Sequence, residues 1–200
     1  MNATTTALPV MVGLFRWLTM LAWLIWFGVY WGVGTRSYFA NVRQSSRLDR
    51  ISMLMMAIGA LGLFGSMVLV LLGIVALPQN ELVVPLGAAL ACVGVAGSFY
   101  CRHVLGRFWS APTTLQDNHE IIDQGPYGVV RHPIYTATLG FYLGTTLAFS
   151  AWWTWALLTL LLVSYVLKAL DEERFLGANL AATYEDYRHR VPYRLLPGVW

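Results

Sequence analysis

The residues best suited to chemistry are concentrated between His119 and Tyr135, a stretch reading His-Glu-Ile-Ile-Asp-Gln-Gly-Pro-Tyr-Gly-Val-Val-Arg-His-Pro-Ile-Tyr. Gly125-Pro126 is a turn signal, because Gly permits positive φ and Pro fixes its own. Pro133 suits a first helical position, where a missing N–H costs nothing, and it pushes His132 out of the helical region. His132 is therefore expected at a helix mouth, among free N–H groups and beside Arg131, Tyr127 and Tyr135, a good setting for a polar ligand. Glu172 and Glu173 follow the last apolar run, and Lys168, the only lysine in the chain, stands one helical turn before Glu172.

These residues are set into a chain that is 58% hydrophobic and 12% charged, with a mean hydropathy of +0.59. A soluble globular chain is about a quarter charged, so that class is excluded. The net charge of +3 comes almost wholly from Arg. The arginines are dispersed between apolar runs, which fits membrane topology and not a nucleic-acid surface. Cys92 and Cys101 form neither a CxxC nor a metal-ligand spacing and read as small apolar packers; no metal is expected.

A membrane-crossing helix needs about 20 residues. Apolar runs over 8–33, 51–77, 82–100, 134–149 and 152–170 predict five spans, the fourth barely long enough at ~24 Å. Residues 150–151 form a tight turn, and 171–200 a cytoplasmic helix plus tail that docks through Tyr184, Tyr187 and Val191. The first run lacks a basic leader and is too long for a cleaved signal, so it is expected to be retained as a span. Arg16 is expected to snorkel outward, and Trp17, Trp23, Trp26, Tyr30 and Trp31 to face lipid or pack. Gly59, Gly62 and Gly65 lack the preceding strand and acidic residue of a dinucleotide loop, and read as a close-packing helix face. The interval 35–50 carries Arg36, Arg43, Arg47 and Arg50 against Asp49 and reads as a loop. With 102–131 and 171–200 it falls on one side, which the positive-inside rule makes cytoplasmic, leaving the N-terminus outside.

Four pieces in fixed order, His119-Glu120-Ile121-Ile122, Gly125-Pro126-Tyr127, Arg131-His132-Pro133-Ile134-Tyr135 and Glu172-Glu173, resemble the signature of the isoprenylcysteine carboxyl methyltransferase family and its relatives among integral-membrane, S-adenosylmethionine-dependent methyltransferases. Leu105-Gly106-Arg107-Phe108-Trp109-Ser110, Tyr184-Glu185-Asp186-Tyr187 and Leu196-Pro197 extend the resemblance over 105–197. It implies an all-α integral membrane protein of about five transmembrane helices, a single membrane domain over 1–200. Residues 1–104 supply three spans, and 105–200 the methyltransferase-like core with a cofactor pocket at the cytoplasmic face. S-adenosylmethionine is the implied cofactor. His119, Ile121 and Ile122 would meet its adenine side, Tyr127, His132, Pro133, Ile134 and Tyr135 would form the rest of its wall, and Glu172 would receive its ammonium. The implied partner is a lipophilic or prenylated acceptor taken from the bilayer.

Lys168 stands where the prenylcysteine enzymes carry an arginine that holds the substrate carboxylate. Lysine keeps the charge and loses the bidentate fork. Lys168 would position the acceptor or snorkel, and Arg131 would bind a carboxylate or mark the membrane edge. Without the resemblance, Glu172 reads as a surface partner of Lys168 at i,i+4, His132 as a cap, and Tyr127 and Tyr135 as interfacial anchors. Glu173 reads as structural or solvated. A carboxylate of isoprenylcysteine type leads among acceptors, with an isoprenoid or phospholipid amine and a small thiol still open. An NADPH-dependent sterol-reductase-like enzyme and a non-enzymatic membrane accessory protein are the competing readings.

Overall fold

A computed structural model describes residues 3–41, 45–77, 80–115 and 120–200. Five helices follow one another: α1 (Ala3–Asn41), α2 (Arg47–Leu71), α3 (Val83–Leu105), α4 (Pro133–Ala148) and α5 (Trp152–Arg190). No strand occurs among the described residues. Four stretches, Val10–Tyr30, Arg47–Leu71, Val83–Phe108 and Trp152–Arg190, are long and apolar enough to cross a bilayer. α4 has 16 residues, ~24 Å at helical rise, and falls short of a ~30 Å hydrocarbon core. Leu14, Leu21, Leu54, Leu61, Leu86 and Val93 lie exposed along the helices, a surface that lipid accommodates and water does not.

The helices pack in antiparallel pairs through small residues. A Cβ on Gly59 or Gly62 of α2 would come within 2.6 Å and 2.8 Å of Leu161 and Leu157 of α5, while one on Gly65 would meet nothing within 4 Å. The expected glycine face is therefore real at two of its three positions. On α3, a Cβ on Gly87 would lie 2.6 Å from the Ala148 nitrogen of α4, and one on Gly94 would lie 2.7 Å from the Ala137 carbonyl. The short α4 is thus held backbone to backbone against α3. Trp23 of α1, fully buried, packs on Phe141 and Tyr142 and donates to Thr145 Oγ1 at 2.9 Å.

Three expectations are corrected. Arg16 does not snorkel: it is 8% exposed, and its Nε donates to the Ala148 carbonyl at 3.2 Å. It satisfies one of the carbonyls that the end of α4 leaves open. Residues 35–50 are not a long loop, since α1 runs to Asn41 and α2 begins at Arg47. Ser46 caps α2 by accepting from the Asp49 N–H at 2.9 Å, and Asp49 in the first turn favours the helix dipole. Finally, the break between the last membrane helix and the C-terminal helix comes at Ala181 and not at residue 171. α5 continues through Asp171, Glu172 and Glu173 for 39 residues, its helical dihedrals interrupted only at Ala181 (φ 18°, ψ −97°).

Candidate active site

Pro133 opens α4, and His132 ahead of it is non-helical (φ −122°, ψ 59°), as its place before a proline predicts. The neighbouring N–H groups, however, are not free. Those of Arg131 and His132 donate to the carbonyls of Tyr193 and Arg194 at 2.9 Å each, and Thr136 Oγ1 donates to the Leu195 carbonyl at 2.6 Å. The C-terminal segment is therefore one wall of this mouth.

Glu172 and Glu173 are adjacent on α5 and do different work. Tyr135 donates its hydroxyl to Glu172 Oε2 at 2.5 Å, and His132 Nδ1 lies 3.6 Å from the same oxygen. The His132 and Tyr135 rings stack at 5.2 Å, almost parallel. The Glu172 side chain remains 31% exposed, against 8% for Glu173. Glu173 instead accepts from Arg131 Nε and Arg194 Nε at 2.9 Å each, with His132 Nε2 at 3.3 Å. Arg131 also donates through Nη1 to the Val191 and Pro192 carbonyls at 2.8 Å. Arg131 is thus engaged by the protein's own carboxylate and carbonyls.

Above this cluster lies a cavity of about 420 Å³, large enough for a cofactor-sized ligand. Its polar end is lined by Ile121, Ile122, Tyr127, Arg131, His132, Pro133, Ile134, Tyr135 and Glu172, and by Tyr184 and Tyr187 of α5. Every described residue anticipated for a cofactor wall is there; His119 lies outside the described residues. From this end the cavity runs along α2, past Met53, Met56, Ala57 and Ala60 to Leu61, facing Trp26 and Phe27 of α1. Tyr127 Oη, Tyr184 Oη and Trp26 Nε1 are buried against it without a partner among the described residues. Buried polar atoms are nearly always satisfied, so unpaired donors on three residues that line one cavity fit a polar ligand. Burial pushes the Tyr127 hydroxyl well above its ordinary pKa, so it serves as a neutral donor. Glu172, a carboxylate at the polar end, fits a ligand that carries an ammonium.

Lys168 lies on the wall between the two ends and is buried. It neither snorkels nor pairs with Glu172. Its Nζ is joined to Asp49 Oδ1 of α2 and donates to Thr113 Oγ1 at 3.3 Å.

The family model for phospholipid methyltransferases matches residues 82–183, just over half of the chain. The chain belongs to the phospholipid methyltransferase family. No curated protein matches it. Methyltransferases of this family use S-adenosylmethionine. The family segment contains α3, α4, most of α5 and the cluster around Glu172, whereas Asp49 and the α1–α2 wall of the cavity precede it. Asp49, Thr113, Tyr184 and the Glu173–Arg194 contact were not singled out for the site from the sequence. One signal pointed to the first: an aspartate alone among arginines and the sole lysine, each at the edge of an apolar run, are natural partners where unpaired charge is expensive.

Proposed function

We propose that the protein transfers a methyl group from S-adenosylmethionine to the carboxylate of a lipophilic acceptor of isoprenylcysteine type. The observation that carries this reading is the continuous cavity that joins the Glu172 cluster to an apolar channel between α1 and α2, with a lysine at the junction. S-adenosylmethionine supplies an electrophilic methyl when bound. Glu172, fixed by Tyr135, receives an ammonium in a charge-assisted contact. Tyr127 and Tyr184 offer neutral donors, and Arg131 is a positioning residue that locks Glu173 and the C-terminal segment against His132. Met53, Met56 and Ala57 take the acceptor's apolar tail. Methyl transfer is largely a matter of alignment. A carboxylate, which ordinarily titrates at about pH 4, is ionised at neutral pH and needs no base; it needs a cation, which Lys168 provides.

Calorimetry on detergent-solubilised protein tests the cofactor side, with S-adenosylmethionine, its demethylated product and NADPH as ligands and Glu172→Ala alongside. Binding of the first two, lost in the variant, is expected. Binding of NADPH alone would move the chain to reductase chemistry, and binding of none would leave a non-enzymatic role. Methylation of N-acetyl-S-farnesylcysteine, compared with a long-chain phospholipid amine, tests the acceptor; turnover of the amine alone would overturn the carboxylate reading.

A further inference from the structure

Asp49 is fully buried in the first turn of α2. Its carboxylate meets Lys168 Nζ and accepts from the Thr113 N–H at 3.3 Å and the Thr113 hydroxyl at 3.1 Å. Lys168 and Thr113 line the cavity, and Asp49 stands behind them. Three parts of the chain far apart in sequence therefore converge on one ammonium. One turn further along α5, Asp171 accepts from Ser46 Oγ at 2.8 Å, so the start of α2 is fastened to α5 at two successive turns. A buried ammonium without a counter-charge is costly; the carboxylate supplies the counter-charge and the double fastening keeps the pair in place.

An ammonium has three N–H donors and no acceptor. Asp49 takes one and Thr113 a second, which leaves one for the cavity. We infer that Asp49 is a positioning residue for methyl transfer: with Thr113 it aims the last N–H of Lys168 at one oxygen of the acceptor head and leaves the other oxygen unbound as the nucleophile. An arginine fork would grip both oxygens. The carboxylate oxygen would gain the methyl as the methyl–sulfur bond breaks and its electron pair stays on sulfur; a sulfonium and a carboxylate thus become a neutral thioether and a neutral ester, and no proton passes to Asp49 or Lys168. The ester oxygen forms the weaker hydrogen bond, which favours release. The acceptor part of this inference rests on the function proposed above; the control of Lys168 by Asp49 does not.

Because Lys168 is the only lysine in the chain, protein labelled with ¹⁵N-lysine gives one side-chain ammonium signal. That signal should change in Asp49→Asn and, in the wild type, on adding N-acetyl-S-farnesylcysteine with S-adenosylhomocysteine. Asp49→Asn should lose at least tenfold in kcat while its Kd for S-adenosylmethionine stays within twofold. The double variant Asp49→Asn/Lys168→Met should be no slower than Lys168→Met, since Asp49 acts only through Lys168. An ammonium signal unmoved by Asp49→Asn, a kcat within twofold of wild type, or losses that multiply in the double variant would each overturn the inference. If Asp49→Asn fails to fold, the double variant, which buries no unpaired charge, should fold and carry the comparison with Lys168→Met. If wild type does not methylate the probe, the function and the acceptor part fall together, and the ammonium signal alone decides whether Asp49 controls Lys168.

Discussion

Gly87 of α3 lies against Gly144 of α4 so closely that a Cβ on Gly144 would stand 2.5 Å from the Gly87 carbonyl oxygen. The contact is backbone on backbone, so no rotamer change can relieve an added methyl. It holds α4, too short to span alone, in the register that puts His132 and Tyr135 opposite Glu172. Gly87→Ala should therefore destabilise the detergent-solubilised protein by roughly 1–3 kcal/mol, the usual cost of overpacking. Gly65→Ala, whose Cβ meets nothing, should be neutral or gain up to about 1 kcal/mol from helix propensity. Thermal unfolding followed by helical circular dichroism checks both; equal midpoints would contradict the packing.

The two glutamates of α5 should separate binding from stability. Removing the Glu173 charge leaves Arg131 buried without its partner, and breaking a buried pair costs about 3–5 kcal/mol. Glu173→Gln should thus lower the unfolding midpoint sharply, whereas Glu172→Gln should leave it nearly unchanged. Glu172→Gln should instead raise the Kd for S-adenosylmethionine at least tenfold. Midpoint and Kd measured on both variants test the division, and a reversed pattern would refute it.

Tyr135→Phe removes only the hydroxyl that holds Glu172. Hydrogen bonds to charged groups contribute about 1.5–3 kcal/mol. With the ligand ammonium taking up part of that loss, a rise in Kd for S-adenosylmethionine of about tenfold is expected by calorimetry. An unchanged Kd would mean that Glu172 needs no anchoring, or plays no part in binding.

Ala57 lines the apolar end of the cavity at an exposed position on α2. Ala57→Phe should fill that end without disturbing the core. The Kd for S-adenosylmethionine should stay within twofold, while the KM for N-acetyl-S-farnesylcysteine rises at least fivefold. A radiolabelled methyl assay across acceptor concentrations measures this; a KM equal to wild type would place the acceptor tail elsewhere.

The local signals in the sequence were informative where a residue's neighbours in the chain decide its place. Pro133 announced the mouth of α4, the apolar runs announced the helices, and Gly59 and Gly62 announced a packed face. What stayed hidden depends on partners distant in sequence. Arg16 looked like a charge seeking water because nothing in its own helix reveals the carbonyl of Ala148. Lys168 looked like a partner for Glu172, four residues on, because i,i+4 is the only pairing a sequence displays; the fold offered Asp49 instead. Glu173 could be read as solvated for the same reason, since Arg131 and Arg194 come from separate stretches. The helical reading of 35–50 was masked by its arginines, which signal membrane sidedness without forbidding a helix.

The C-terminal segment gives the backbone partners of Arg131 and His132, and this has a consequence for biogenesis. During synthesis the helices enter the membrane in order, and α4 is inserted well before residues 193–195 are translated. Until those residues emerge, the mouth of α4 lacks one of its walls, and the Arg131 and His132 N–H groups lack their carbonyl partners. A nascent chain therefore carries an open, unfinished pocket, and capacity for ligand should switch on only once residues 193–195 have emerged. Ribosome-bound chains ending before residue 193 and after Leu195, each followed by a linker long enough to clear the exit tunnel, would differ in that capacity although their membrane helices are identical.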